Sequence, residues 1–256
     1  MKKFAIVIMA LCLALSMAAC GKTVNEGSKP KTEASGKPET EVSAQPESAK
    51  EIDCDAAQAR REILQQYRFD DSVRQMMIVS HTEGWNADVS FYEKTDVNSA
   101  WTLVFDGDAI IGKNGMNKTK EGDTKTPCGD YEVLQAFGIM PNPGTSLEYI
   151  DITPDTYACD EDCEFYNQII DAKATGHECS GEQMYTLCPE YNYGLTTSYN
   201  KENKYPNGSA IFIHCKGQKP FTGGCIALDE ADMKTVVEKA EPGMRVYLDE
   251  YYVTEK

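Results

Sequence analysis

The sequence predicts a mainly β domain with few short helices. Between Arg74 and Ile139, short runs rich in Val, Ile, Phe and Tyr alternate with turn-forming residues. Only two stretches carry a helical pattern, one before these runs and one near the C-terminal end. The later helix is followed by "MRVYL", where Met244, Val246 and Leu248 alternate onto one face as a last strand.

The elements follow in order. Residues 53–67 have few helix breakers and suit a helix, with Asp53 available as its N-cap. "RQMMIVSH" and "DVSFYEK" read as strands separated by the turn-like "TEGWNA". "SAWTLVFDGDAIIG" reads as two strands broken at Asp106-Gly107-Asp108, and "GDYEVLQAFGI" as another. "SAIFIH" is apolar on both faces, as a strand buried within a sheet requires. "CIALD" is a short strand behind a Gly-Gly turn. In "EADMKTVVEKAEPG", Met233, Val236, Val237 and Ala240 share one helical face, Asp229 can cap the start, and Pro242-Gly243 stops the run. There is no internal repeat.

The N-terminal region sets the expected compartment. "MKKFAIVIMALCLALSMAAC" places two lysines before an apolar run and small residues, the pattern of a secretory signal peptide. Met17-Ala18-Ala19-Cys20 resembles the lipobox of bacterial lipoproteins, which implies cleavage after residue 19 and lipidation of Cys20. Residues 20–50 are dominated by Lys, Glu, Ser, Pro and Gly, so they cannot bury enough apolar surface to offset the entropy of ordering. The expected organisation is a signal peptide at 1–19, a lipidated tether at 20–50, a helical flank at 51–74 and a catalytic domain at 75–250. The protein is expected outside the cytoplasm, anchored by lipid to the bacterial cell membrane.

Charge narrows the partners. The chain has 41 acidic against 25 basic residues, a formal net charge of −16. Phosphate backbones repel such a chain, which excludes nucleic acid as a natural partner. An anionic lipid surface offers it no attraction either, so membrane attachment falls to the lipid.

The segment "IFIHCKGQKPFTGGCIAL" carries the chemistry. His214 ends the buried strand and Cys225 opens the next one, so neighbouring strands can bring them together. A thiol becomes a good nucleophile when ionised, and a histidine can lower its pKa and hold a thiolate–imidazolium pair. Gly223 and Gly224 leave backbone N–H groups unobstructed beside the sulfur, where an oxyanion would form. On residue types alone, a core histidine and half of a disulfide fit the same pair.

The segment resembles the active-site stretch of the L,D-transpeptidase catalytic domain, the YkuD-like family. That family places a histidine, a loop, then Ser or Thr, a residue, Gly and Cys; here these are His214, Thr222, Gly223, Gly224 and Cys225. "IIGKNGMNKTKEGDTKTPCGDYEV", "EFYNQIID", "GEQMY", "YNYGLTTSYN" and "NGSAIFIH" resemble further family segments, so the resemblance runs from about Gln75 to Leu248. It implies a β-sandwich or barrel-like fold that needs no metal or other cofactor. It also implies Cys225 as nucleophile, His214 as base and acid, the Cys215 carbonyl orienting the imidazole, and an oxyanion hole around Gly224 and Cys225, supported by Gly223 and Thr222. The implied substrate is a peptidoglycan stem peptide: the cysteine expels D-alanine, a second stem's amine takes the acyl group, and carbapenems block the enzyme. The sequence departs from the family pattern at Gly223, where a second histidine is common, at Ala227, where Arg or Asn is common, and in a shorter His-to-Cys interval. These positions concern donor-peptide contacts. A hydrolase on the same scaffold and a catalytically silent wall-binding lipoprotein are the alternatives.

"GKNGMNKTKEGD" lacks the phosphate-loop pattern and reads as a structural loop. His81 reads as an exposed strand-end residue. Cys159, Cys163, His177 and Cys179 have spacings compatible with zinc, but disulfides are the commoner use of clustered cysteines outside the cytoplasm. No metal is therefore expected, and Cys179–Cys188 is the favoured bridge. The acidic run Asp160 to Glu164 reads as a solvated loop. Within the resemblance, Tyr166 and Asn167 are candidate substrate contacts. Cys215 should face away from His214 and stay buried and unpaired.

Overall fold

The computed structural model describes residues 54–250. The expected signal peptide, Cys20, the tether and Asp53 lie outside the described residues. The elements are α1 (Cys54–Gln66), β1 (Gln75–Glu83), β2 (Asn86–Glu93), β3 (Thr102–Ile110), β4 (Gly129–Gly138), β5 (Tyr149–Asp151), β6 (Thr156–Cys159), β7 (Gln168–Asp171), α2 (Ala172–Thr175), β8 (Glu182–Gln183), a 3₁₀ turn (Met184–Thr186), β9 (Gly194–Thr197), β10 (Phe212–Cys215), β11 (Ile226–Leu228), α3 (Glu230–Lys239) and β12 (Arg245–Asp249). The domain is mainly β, with three short helices.

Nine strands form one sheet in the order β12-β1-β2-β3-β11-β10-β9-β4-β5. A β12–β4 pairing closes all of these but β5 into an eight-strand ring, with β5 appended to the far half of β4. Closure pairs the edges that an open sheet would expose. A second, three-stranded sheet, β7-β6-β8, is built from the segment between β5 and β9.

Alternating side chains explain the layers. On β1, Met77 and Val79 point into the ring, while Met76 and Ile78 point outward beneath α1. Both faces are therefore buried, which accounts for the unbroken apolar run "MMIV". The α1 side contributes Ile63 and Leu64, and Trp101 donates its indole N–H to the Leu64 carbonyl at 2.9 Å. Lys94 is buried just past the end of α1, where its ammonium donates to the carbonyls of Tyr67, Arg68 and Asp70 at 2.6, 3.1 and 2.8 Å. A cation there satisfies carbonyls that lack helical partners. Inside the ring, Phe91, Leu195, Ile213, Leu228 and Val246 pack with Met233, Val236 and Val237 of α3. A separate cluster of Phe137, Ile152, Ala158, Met184, Tyr191 and Phe212 joins the ring to the small sheet.

Three local expectations change. Asp106-Gly107-Asp108 does not interrupt β3; the three residues pair with Ser90, Val89 and Asp88 of β2. Much of β3 faces solvent, so polar side chains cost little there and the ladder runs through. Asp229 stands at the N-cap of α3 without a side-chain cap bond, because its carboxylate pairs with the Lys216 ammonium at 3.2 Å. His81 is buried, not exposed, and its Nε2 lies 3.0 Å from the Gly84 carbonyl across the β1–β2 turn.

Candidate active site

β10 and β11 lie side by side and parallel, with Ile213 opposite Ile226 and His214 opposite Ala227. Alternation along β10 sends Ile213 and Cys215 into the ring core, and Phe212 and His214 to the other face. His214 meets the Tyr191 ring edge-on at 5.3 Å. Cys225 immediately precedes β11, and its sulfur accepts the Phe212 N–H at 3.4 Å. Cys225 and His214 thereby line one cleft of about 360 Å³.

Each group has a fixed orientation. His214 Nδ1 lies 2.8 Å from the Cys215 carbonyl. A carbonyl only accepts, so Nδ1 carries the proton and Nε2 is the basic nitrogen. Burial pushes the His214 pKa below its ordinary value, against the opposing pull of the Cys215 carbonyl and the Glu190 charge. Burial pushes the Cys225 thiol up to about 12, and that thiol donates to the Ala210 carbonyl at 3.0 Å. Burial disfavours the charged form of each group, which works against the expected thiolate–imidazolium pair.

The turn that presents Cys225 is bolted to a second loop. Thr222 donates its N–H to the Ile111 carbonyl at 2.9 Å and accepts the Lys113 N–H at 3.0 Å. Its hydroxyl donates to the Cys225 carbonyl at 2.6 Å and accepts the Gly224 N–H at 3.1 Å. The Gly224 N–H, expected as an oxyanion donor, is therefore already engaged. Thr126 is fully buried; its hydroxyl donates to the Gly224 carbonyl at 2.8 Å and accepts the Gly112 N–H at 2.9 Å. Gly224 has φ +150°, and a Cβ there would sit 2.7 Å from the Lys125 carbonyl, whereas a Cβ on Gly223 would meet nothing within 4 Å.

The loop "GKNGMNKTKEGD" is tied together by one carboxylate, and its Lys118 and Glu121 reach the cleft. Asp123 accepts N–H groups from Thr119, Lys120 and Lys125 at 2.8, 3.1 and 3.1 Å, and the Lys118 ammonium at 3.0 Å. Burial alone would raise its pKa, but these donors outweigh it and hold the carboxyl at about 2.

Tyr166 and Asn167 sit behind the cleft, not in it. Tyr166 is buried and donates to Glu121 at 2.6 Å while accepting the Gly208 N–H at 2.9 Å. Asn167 donates to the Tyr199 and Asn200 carbonyls at 3.2 and 2.9 Å and accepts the Ala210 N–H at 2.9 Å. Both hold the segment whose Ala210 carbonyl receives the Cys225 proton. Sequence reasoning missed Ala210, Thr126, Tyr191 and Glu190 around the site. Thr126 lies within the segment "IIGKNGMNKTKEGDTKTPCGDYEV", but nothing in the sequence tied it to Cys225.

Cys215 is buried, and its thiol donates to the Tyr193 carbonyl at 3.5 Å. It lies on the core side of β10, as expected. No disulfide occurs among the described residues, and Cys179 does not bond Cys188. Instead, Cys188 is exposed and donates to Asn192 at 3.4 Å.

A ring of strands carrying a cysteine and a histidine in one cleft is an arrangement suited to cysteine-dependent acyl transfer. The chain is a member of the L,D-transpeptidase catalytic domain (YkuD) family, whose profile matches residues 89–248. No curated protein sequence matches it. Among solved structures it is similar to the K307A mutant of the helical cell shape determining protein Pgp2 from Campylobacter jejuni, at 22% identity and TM-score 0.39 over 71% of this chain and 48% of that one. It is also similar to the Enterococcus faecium L,D-transpeptidase C442S mutant, at 12% identity and TM-score 0.35 over 68% and 49% of the two chains. The L,D-transpeptidase from Mycobacterium smegmatis matches at 11% identity and TM-score 0.32 over 68% and 58%. The match spans about half the length of these proteins.

Proposed function

We propose that the domain transfers acyl groups between peptidoglycan stem peptides through a thioester on Cys225, cross-linking the cell wall. The observation that carries this reading is the placement of Cys225 and His214 on the walls of one cleft, with Nδ1 of His214 fixed on the Cys215 carbonyl. As substrate enters, the Cys225 proton passes to His214 Nε2 while the sulfur attacks the carbonyl before the terminal D-alanine. The oxyanion takes the Cys225 N–H. The C–N bond then breaks, His214 returns the proton to the departing D-alanine amine, and the thioester remains. A side-chain amine of a second stem attacks the thioester, losing its proton to His214, and the thiol is restored.

Glu121, Asp160, Glu182 and Glu190 line the cleft against Lys118 and Lys219. That excess of carboxylates favours the cationic side chain of a diamino acid. The lipobox-like Met17-Ala18-Ala19-Cys20 supports an anchor in which lipid on Cys20 holds the protein at the membrane outside the cytoplasm, facing the wall. Cys20→Ser should release the protein into the soluble extracytoplasmic fraction; unchanged membrane partitioning contradicts the anchor.

The test of the reaction is incubation with labelled stem tetrapeptide and an amine acceptor. A cross-linked dimer supports transfer. Free tripeptide alone supports hydrolysis on the same residues, and no product supports a binding protein.

A further inference from the structure

The small sheet beside the cleft holds a cluster that the reaction does not use. β6 ends at Cys159, which is fully buried. The following turn returns Cys163 to it, with the two sulfurs 3.5 Å apart. Gly176, at φ +69°, ends α2 in a left-handed conformation and turns the chain so that His177 comes back to the same point. His177 Nε2 lies 4.0 Å from the Cys159 sulfur and 3.7 Å from the Cys163 sulfur. Cys179, two residues on, lies within 4.8 Å of the donor atoms of Cys159 and His177.

We propose that Cys159, Cys163, His177 and Cys179 form a structural zinc site that clips the cleft-side sheet together. Four such ligands around zinc, at about 2.3 Å for sulfur and about 2.0–2.1 Å for imidazole nitrogen in a tetrahedron, stand roughly 3.5–3.8 Å from one another. The separations among Cys159, Cys163 and His177, at 3.5, 3.7 and 4.0 Å, fall close to that spacing, and Cys179, within 4.8 Å of Cys159 and His177, would move inward to complete the set. The surrounding backbone suits bound thiolate. Cys163 accepts the Phe165 N–H at 3.4 Å, and Cys179 accepts the Gly181 N–H at 3.3 Å, each from two residues ahead. Such donors stabilise the charged sulfur. The His177 ring packs against Phe165 in a tilted pair, with centroids 4.9 Å apart and planes at 45°, which limits its rotation.

A disulfide accounts for less of this. A Cys159–Cys163 bridge uses two of the four groups and gives His177 no role. It also closes a loop too short to constrain much. Zinc uses all four, releasing up to three thiol protons as it binds and leaving one net negative charge with neutral imidazole. Four protein ligands leave no open position, so the site is structural, not catalytic. Its place gives it a purpose, because Ala158, Asp160 and Glu182 flank the ligands in sequence and line the cleft. The metal site itself does not depend on the transpeptidase reading.

The test uses the full chain, purified in detergent under reductant, stripped of metal and titrated with Co(II). The expected result is one equivalent bound per chain, with tetrahedral d–d bands and a thiolate-to-cobalt charge-transfer band that Zn(II) abolishes. Cys163→Ser and His177→Ala should lose that spectrum, and Cys188→Ser should keep it. Circular dichroism of each stripped variant separates lost binding from lost folding. No tetrahedral spectrum with the wild-type chain overturns the proposal, as does a spectrum that survives Cys163→Ser and His177→Ala. Peptide mapping that finds a Cys159–Cys163 bridge in chain isolated without reductant overturns it as well.

Discussion

The Cys225 thiol points at the Ala210 carbonyl, 3.0 Å away, and Ala210 is held at φ +51°. A left-handed alanine costs energy that the surroundings must supply. They supply it by three bonds: Gly208 N–H to Tyr166, the Ser209 hydroxyl to Glu121, and Ala210 N–H to Asn167. The Cys225 thiol therefore rests against a carbonyl that this segment holds in place.

Asn167 controls that resting place without touching the cleft. Asn167→Ala should leave the Ala210 N–H and the Tyr199 carbonyl without that partner, while the Asn200 carbonyl keeps the Asn203 N–H. The expected loss is about 1 kcal/mol in denaturant unfolding, the low end for stranded groups because these are only partly buried. Turnover should fall more than KM rises. An Asn167→Ala protein with wild-type stability and kcat contradicts the role.

The pH profile follows from burial. His214 must be neutral to act as base, and its pKa lies below the ordinary value of about 6.5. As pH falls, activity should persist through that value and decline only below it. The acid limb of kcat/KM should therefore have its midpoint under about 6.5. The Glu190 charge raises the His214 pKa, so Glu190→Gln should move the limb to still lower pH. A midpoint above the ordinary imidazole value, or an upward move in Glu190→Gln, contradicts the assignment.

The two glycines before Cys225 should answer differently to alanine. Gly224→Ala places a methyl 2.7 Å from the Lys125 carbonyl at φ +150° and should cost roughly 1–3 kcal/mol, with a large loss of turnover. Gly223→Ala meets open space and should stay within about 0.5 kcal/mol of the parent. Equal effects in thermal unfolding would remove the basis for reading Gly224 as the constrained position.

Thiol labelling should follow exposure, not catalytic role. Brief alkylation of the native chain should modify exposed Cys188 before Cys225, whose thiol burial holds at about 12. Cys215, on the core side of β10, should react only after unfolding. Peptide mapping that finds Cys225 labelled first at neutral pH would mean the thiolate exists at rest.

Much of this was legible in local sequence, and the remainder was set by distant contacts. Apolar runs and turn residues located most strands, and helical spacing located α3, since those signals are local. The alternation of His214 and Cys215 onto opposite faces was readable because strand side chains have a strict period of two. What the sequence hid was who meets whom across loops. The Thr126 bond to Gly224 and the Asn167 bond to Ala210 join residues far apart in the chain. The pull of burial against charge on Cys225 and His214 depends on packing, which residue types do not disclose. The preference for a Cys179–Cys188 bridge rested on proximity along the chain, whereas folding brings Cys179 to Cys159 and His177.

The central claim is that Cys225 carries the acyl group. Intact-mass spectrometry of the protein quenched in acid after mixing with stem tetrapeptide tests it most directly. The account predicts a mass gain equal to the tetrapeptide less D-alanine, mapped to Cys225, absent in Cys225→Ala and much slower to form in His214→Ala. The same adduct in Cys225→Ala, or its placement on any other cysteine, contradicts the claim.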